Sequence, residues 1–422
     1  MHPATGKPRD PLGWSVVLAA GFLLLLLHRL AVPSAPYFDE VHYLPAARAW
    51  LAGAPPLNPE HPPLGKLILA GGIAVLGDDP WGWRLLPALV GALTLFAAMR
   101  ALWFASCRRF ATLAYGVLLA SGFTLFVQSR IAMLDIFALA FLAVALWQAA
   151  AACREPETGR WRLAATGIAL GLALGAKWSV APLLPLFGLA FLAARLSAGR
   201  RRLFTSRRGV PVPGISLLEA AAWLGAVPLL TYSATFLPLY LTDQGALSEN
   251  LLAHHRTMLA LQESVTAPHP YQSVWWQWVA NIRPIWYLYE FTDGAQRGVL
   301  LLGNPLASLL GLPALLWCGW AAMRHDRAAL AVLLLYTISL GFWIVAAKPI
   351  QFYYHYLLPH GFLLAALALA LDTLWRRGWR KTALAPLFAS ITLFAWFFPI
   401  LSAAPLAGER SFEEWMWLAG WA

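Results

Sequence analysis

Two adjacent carboxylates and an imidazole, Asp39, Glu40 and His42 in "YFDEVHY" (37–43), follow almost directly on an apolar run, "GFLLLLLHRLAV". The intervening "PSAPY" contains prolines that cannot continue a helix, so both carboxylates stand at the rim of a membrane rather than inside it. A short distance on, "PEHPPLGKL" adds Glu60, His61 and Lys66. Arg84 opens an apolar run in "WGWRLLPALVGAL", "SRIAMLD" carries Arg130 and Asp135 at the start of another, and "GAKWS" puts Lys177 at the end of a third.

A carboxylate beside cations at the edge of lipid suits one reaction well: transfer of a sugar from a lipid-linked sugar phosphate. The leaving group is a phosphate, so cations that stabilise its developing charge suffice, and no strong general acid is needed. The acceptor hydroxyl still needs a base, which one carboxylate supplies. One base and an in-line displacement invert the anomeric centre. The donor's polyprenyl tail lies in lipid while its head meets an aqueous acceptor at the rim, which explains the address. Each residue also has a plainer reading. Asp39 is a good cap for a following short helix, and any single Arg or Lys at a span end can snorkel to the interface. Ionisable groups at membrane depth are costly and usually paired or functional, and all of these fall on one face.

The elements that must hold these residues are membrane helices. The chain has 422 residues, is 60% hydrophobic and only 12% charged, with a mean hydropathy of +0.61. Soluble domains carry about 25% charged residues. Apolar runs near the required length of about 20 residues predict some eleven spans, at roughly 13–31, 84–104, 110–127, 131–152, 162–176, 178–195, 217–240, 299–320, 328–346, 356–374 and 383–403. They lack the alternation of barrel strands, so the expected fold class is an all-α polytopic membrane protein.

Basic residues orient the chain. With the N-terminus in the cytoplasm, 20 of the 31 Lys and Arg fall in the inner segments and 14 of the 20 acidic residues in the outer ones. The net charge of +11 is therefore a topology signal, and nucleic acid is excluded as a partner because no aromatic and basic interleaving accompanies it. The loop at 195–214 reads as a basic anchor against anionic lipid. The first span has small residues after it, "AVPSA", as a secretory signal would, but its core is long and ten more spans follow. Cys107, Cys153 and Cys318 lie near the inner side, and their odd number implies no disulfide framework.

Outside the spans only 32–83 and 241–298 are long enough to build anything, and both face outward. The first contains two short helical candidates, 44–53 and 62–77, the second of which is short for a span and suits an interfacial or re-entrant helix. The C-terminal "SFEEWMWLAGWA" suits a helix lying on the outer surface. His254, His255, His269 and Glu263 share the later loop without matching a zinc signature, so a cofactor is not implied, although a divalent cation remains open. "FYYHYLLPH", with His355, is either an aromatic belt or the lining of a sugar or lipid path.

"FDEVHY", "HPPLGKL", "SRIAMLD", "KWS", "HPYQSVWWQW", "RPIWYLYE" and "FYYHYLLPH" resemble, in order, the motifs of the dolichyl-phosphate-mannose protein mannosyltransferases, in the bacterial branch that uses polyprenyl-phosphate mannose. The likeness runs from about residue 37 to 360, and "HPPLGK" behind a "DE" pair and "HPYQSVWWQW" are its specific parts. It implies the C-type glycosyltransferase fold with an extracytoplasmic site in the cell membrane, a polyprenyl-phosphate-mannose donor, and Ser or Thr of exported proteins as acceptor. By position it implies that Asp39 is the base and Glu40 its companion carboxylate. Arg84, with Lys66 and Arg130, binds the donor phosphate, and His61, Asp135, Lys177 and His355 shape the site. Eukaryotic members carry a β-trefoil domain in the later loop, and 241–298 is too short for one. Two other functions compete: the same fold and donor type acting on a lipid or cell-wall glycan, as in the related aminoarabinose transferases, and a lipid or sugar transporter. A transporter places its paired charges near the midplane and often shows repeats, whereas these charges sit at the rim.

Overall fold

The computed structural model of the chain describes residues 9–199, 203–241, 250–346 and 348–422. Lys7, Arg200, Arg201, Arg202, Asp243 and Glu249 of the charge pattern lie outside the described residues. Among the described residues, 8 helices are long and apolar enough to cross a membrane: Pro80–Ser106, Asp135–Arg154, Trp178–Ser197, Leu217–Ala234, Pro305–Met323, Arg327–Val345, Tyr353–Arg376 and Arg380–Leu401. The other expected spans fall on helices that are shorter or more polar. Leu12–Leu27 and Arg109–Ala120 have 16 and 12 residues, and Gly159–Ala176 starts with Arg160 and Arg162 in its first turn. The Tyr353–Arg376 helix is the central one, with 72% of its apolar stretch inside the molecule.

Local chemistry sets several boundaries. Asp79 caps the long Pro80–Ser106 helix through Trp81 N–H at 2.8 Å and Gly82 N–H at 3.1 Å, with Pro80 at its first position. The expected 110–127 span breaks at Phe123, whose φ of 67° is left-handed, and a separate short helix, Thr124–Gln128, follows. Leu64–Leu76 is a helix of 13 residues, about 20 Å long and well short of a crossing. It packs against both Glu40–Leu51 and Pro80–Ser106, in keeping with an interfacial element. Glu40–Leu51 begins earlier than the expected 44–53, because Pro45 sits only one turn in and removes a single helical bond.

Close packing holds the Gly159–Ala176 helix. Gly167, Gly171 and Gly175 recur every fourth residue on one face, and a Cβ there would lie 2.0 Å from the Trp223 carbonyl oxygen, 2.6 Å from that of Pro228 and 2.7 Å from Thr235 Cγ2. The small-residue stripe lets two backbones meet. Lys177 is the residue that ends this helix.

Two further parts of the fold differ from expectation. The segment 285–301 is an antiparallel hairpin, β1 (Ile285–Thr292) and β2 (Ala295–Leu301). Its turn is Asp293–Gly294, with φ of 47° and 74°, the conformation that favours Asn/Asp-Gly in two-residue hairpins. The span expected at 299–320 therefore begins only at Pro305, where Asn304 caps the helix. At the C-terminus the expected surface helix is two short 3-10 turns, Ser411–Trp415 and Ala419–Trp421. Trp415 and Trp421 are buried, and their indole N–H groups donate to Trp396 O at 2.8 Å and Asn281 O at 2.7 Å.

Candidate active site

The two adjacent carboxylates part company at once. Phe38 has a φ of 49°, a costly conformation for an aromatic residue and one that tends to mark functional sites. Its ring stacks on Tyr287 of β1 at 3.9 Å and meets Tyr354 edge-on at 6.1 Å. Beyond this twist Glu40 turns into the core and Asp39 does not.

Glu40 is fully buried. Its Oε1 accepts from Arg84 Nε at 2.8 Å and Ala132 N–H at 3.0 Å, and its Oε2 from Arg84 Nη2 at 2.7 Å and Tyr37 N–H at 3.3 Å. Arg84 spends its remaining donors on carbonyls, Nη1 on Pro33 at 2.5 Å and Leu30 at 3.4 Å, Nη2 on Ala35 at 3.1 Å. A guanidinium has five N–H donors, and all are engaged. Arg84, expected to bind the donor phosphate, here clamps the "YFDE" turn with its donors turned to Glu40 and these carbonyls.

The other two expected phosphate ligands point donors at backbone carbonyls. Arg130 donates to the carbonyls of Leu26 at 2.5 Å, His28 at 2.7 Å and Arg29 at 3.1 Å, capping the C-terminal end of the Leu12–Leu27 helix, whose last carbonyls lack partners. Lys66 Nζ donates to Asn58 O at 2.5 Å and His61 O at 3.0 Å, fixing the loop ahead of its helix. Burial lowers its pKa to about 8.

Asp39 is half-buried, and its carboxylate makes no hydrogen bond or ion pair among the described residues. It precedes the Glu40–Leu51 helix yet does not cap it, so the capping reading fails. Burial, and then the nearby Asp135, push its pKa up to about 6, against the opposing pull of Lys177, His42 and Lys348. Asp135 and Lys177 pair at 2.5 Å, both almost buried, and the Lys177 ammonium lies 5.2 Å from the centre of the Tyr354 ring. His355 is buried among Trp343 at 3.9 Å, Tyr354 at 4.5 Å and Trp278 at 5.9 Å. Its Nδ1 accepts the Phe352 N–H at 3.0 Å while its Nε2 has no partner among the described residues. His61 is neutral, its pKa held well below the usual value by burial and then by Lys177, and Gln262 donates to its Nδ1 at 3.3 Å.

Sequence reasoning missed Lys348, and it held Tyr287 and Tyr354 only within the motifs "RPIWYLYE" and "FYYHYLLPH" without singling them out. Lys348 lies between two spans, is half-buried, and pairs with no carboxylate among the described residues. It feels Lys177, Asp135, Asp39 and Glu60, and burial lowers its pKa to about 8. Tyr287, held by Gln128 Nε2 at 2.7 Å, enters through the hairpin. The Asp293–Gly294 turn flanked by aromatic residues was the available signal for it. A cleft opens beside Asp135, with Ser179 and His355 at its polar part and Leu139, Val180 and Leu358 along its apolar part. Among the described residues, no three His, Cys, Asp or Glu side chains gather as a metal site, and the loop histidines are separated: His254 and His255 pack on Phe236, His269 on Phe352.

The family comparison decides what this arrangement belongs to. The model described as dolichyl-phosphate-mannose-protein mannosyltransferase matches residues 74–240, and that of the C-terminal four-transmembrane region of protein O-mannosyltransferase matches 247–421. The chain belongs to the protein O-mannosyltransferase family. It is 29% identical to the polyprenol-phosphate-mannose–protein mannosyltransferase of Corynebacterium glutamicum, over 87% of this chain and 84% of that protein. To the protein of the same name from Mycobacterium tuberculosis it is 28% identical, over 98% of this chain and 93% of that one. Its fold is that of the yeast protein O-mannosyltransferase Pmt1–Pmt2 complex bound to the sugar donor, with a TM-score of 0.82 at 15% identity over 99% of this chain and 95% of that chain. Cupriavidus metallidurans ArnT bound to undecaprenyl phosphate superposes with a TM-score of 0.60 at 18% identity, over 88% and 62%. The C-type glycosyltransferase fold and the multi-pass membrane character follow from these likenesses and from the apolar helices.

Proposed function

We propose that this mannosyltransferase moves mannose from a polyprenyl-phosphate-mannose donor to Ser or Thr hydroxyls of exported proteins, with Asp39 as the base. One observation carries the assignment of roles: Asp39 is the carboxylate of the site that has no hydrogen bond or ion pair among the described residues, raised to about 6 beside the Asp135–Lys177 pair and Lys348, while its neighbour Glu40 is sealed to Arg84. Asp39 takes the hydroxyl proton as the acceptor oxygen attacks C1 of the sugar. The bond from C1 to the phosphate oxygen breaks, its electron pair stays on the phosphate, and the Lys348 and Lys177 ammonium groups stabilise that charge. The anomeric centre inverts. Asp135 holds Lys177 in place, and the tyrosines 287 and 354 with His355 wall the sugar.

The basic-residue pattern supports a cytoplasmic N-terminus and a site on the outer face of the cell membrane. In this reading the charge on the leaving phosphate is met by lysines. Purified protein with polyprenyl-phosphate mannose and a Ser/Thr peptide tests the reading. Hexose on the hydroxyl side chain, with the anomeric configuration of the donor inverted, is the expected product. Retained configuration would overturn the mechanism, and transfer only to glycan or lipid would overturn the acceptor.

A further inference from the structure

The Asp135–Arg154 helix runs from the catalytic cleft to the far end of the bundle, a distance of about 30 Å for its 20 residues. There, where Pro80–Ser106 also ends, lies a second and larger cavity of about 410 Å³. Arg108, Arg154, Arg324 and Arg327 line it together with His325, against one carboxylate, Asp326.

That carboxylate is already spent. Asp326 Oδ1 caps the Arg327–Val345 helix at Ala328 N–H, 3.1 Å, and Ala329 N–H, 3.2 Å, and its Oδ2 accepts from Arg108 Nη2 at 2.5 Å. Asp372, behind Arg108 at 3.9 Å, is held by Arg376 at 2.9 Å. Arg154 uses Nε and Nη2 on the carbonyls of Phe104 and Ala105, at 2.9 and 3.2 Å. The Arg108 Nη1 has no acceptor among the described residues, and neither Arg324 nor Arg327 has an ion pair there. The cavity thus gathers more cationic donors than the protein supplies anions to meet them.

The surroundings say which anion fits. The adjacent Pro305–Met323 helix exposes Leu309, Leu316, Trp320 and Met323 along one stripe, and the Arg324 guanidinium sits 4.8 Å over the Trp320 ring at its end. An apolar stripe ending in an aromatic and a row of arginines matches a molecule with acyl chains above an anionic head. We infer that this cavity binds the phosphodiester headgroup of an anionic phospholipid, its phosphate between Arg324 and Arg327 and its chains on the Leu316–Met323 stripe. None of these residues belongs to the catalytic site, so the inference stands apart from the proposed reaction.

The test uses the full chain in neutral detergent, measuring binding of phosphatidylglycerol and phosphatidylcholine by native mass spectrometry. Each arginine near an anionic head contributes a factor of about five, so the Arg324→Ala/Arg327→Ala double variant should lose roughly twenty-five-fold in phosphatidylglycerol affinity and leave phosphatidylcholine unchanged. Both residues are exposed, so the variant should fold, and an unchanged melting temperature in lipid-free detergent checks this. Arg324→Lys/Arg327→Lys should keep most of the preference. Equal binding of the two lipids by the wild type, or a preference that survives the double Ala change, overturns the inference. So does displacement of phosphatidylglycerol by inorganic phosphate at comparable concentration, which would make this a small-anion site.

Discussion

Glu40 and Arg84 form a closed two-point ion pair, 2.8 and 2.7 Å, with neither side chain exposed. The pair joins the start of the Glu40–Leu51 helix to the second turn of Pro80–Ser106, and three carbonyls from Leu30, Pro33 and Ala35 complete it. It fixes the turn from which Asp39 projects. The charge on Glu40 is thus consumed in holding its neighbour, which gives two carboxylates in sequence two different jobs.

Glu40→Gln therefore tests architecture rather than proton transfer. It leaves a buried guanidinium without its counter-charge, at a cost of about 3–5 kcal/mol. Melting temperature should fall clearly, and activity should fall with it. A Glu40→Gln protein as stable as wild type but inactive would return Glu40 to the chemistry.

The pH profile of kcat/KM should be bell-shaped. Asp39 must be ionised to accept a proton, so the rate falls as pH drops through about 6. Lys348 must be protonated to meet phosphate, so the rate also falls as pH rises through about 8. Lys66 shares that value but faces carbonyls. Lys348→Arg decides between them, because arginine keeps its charge and should move the alkaline limb upward. An alkaline limb unmoved by Lys348→Arg would assign it elsewhere.

Much of this site was legible because charge is rare in this chain. Asp39, Asp135, Lys177 and His61 stand out against apolar runs, and they do converge. What was not legible is who pairs with whom. Arg84 looked available because its partner lies 44 residues away, and a buried ion pair leaves no periodic trace in sequence. The divergence of Asp39 from Glu40 depends on the left-handed Phe38, a conformation no propensity favours for an aromatic residue. Lys348 hid for the opposite reason: a single lysine between two spans looks like an interface anchor. The hairpin carried an explicit Asp-Gly turn signal, but the apolar end of β2 also reads as the start of the span expected at 299–320.

Lys348→Ala should raise the KM for the donor by about ten- to a hundredfold, the range for one charge-assisted contact in a partly desolvated site, with the acceptor KM little changed. Steady-state kinetics with each substrate varied separately would show it. An effect on the acceptor alone would move Lys348 from the phosphate to the peptide.

Gly171 supports the site from a distance. A Cβ there would lie 2.5 Å from Thr231 Cβ and 2.6 Å from the Pro228 carbonyl oxygen, so the helix ending in Lys177 must shift. Gly171→Ala should lower both melting temperature and kcat, whereas Gly188→Ala, where nothing lies within 4 Å, should lower neither. Equal behaviour of the two variants would remove the close-packed stripe from the account of how Lys177 is placed.

Asp39→Asn separates base from scaffold most sharply. Asparagine keeps the shape of the side chain and caps helices as well as aspartate does, and Asp39 makes no capping bond to lose. Removing the carboxylate from a half-buried position beside Asp135 also relieves repulsion, so stability should hold or rise slightly. Turnover should nevertheless fall by roughly a hundredfold or more, the usual contribution of a positioned general base. Donor binding should persist, because the phosphate is met by Lys348 and Lys177. The acid limb near pH 6 should vanish from whatever activity remains. Near-normal transfer by the Asp39→Asn protein would sink this mechanism while leaving the family assignment intact.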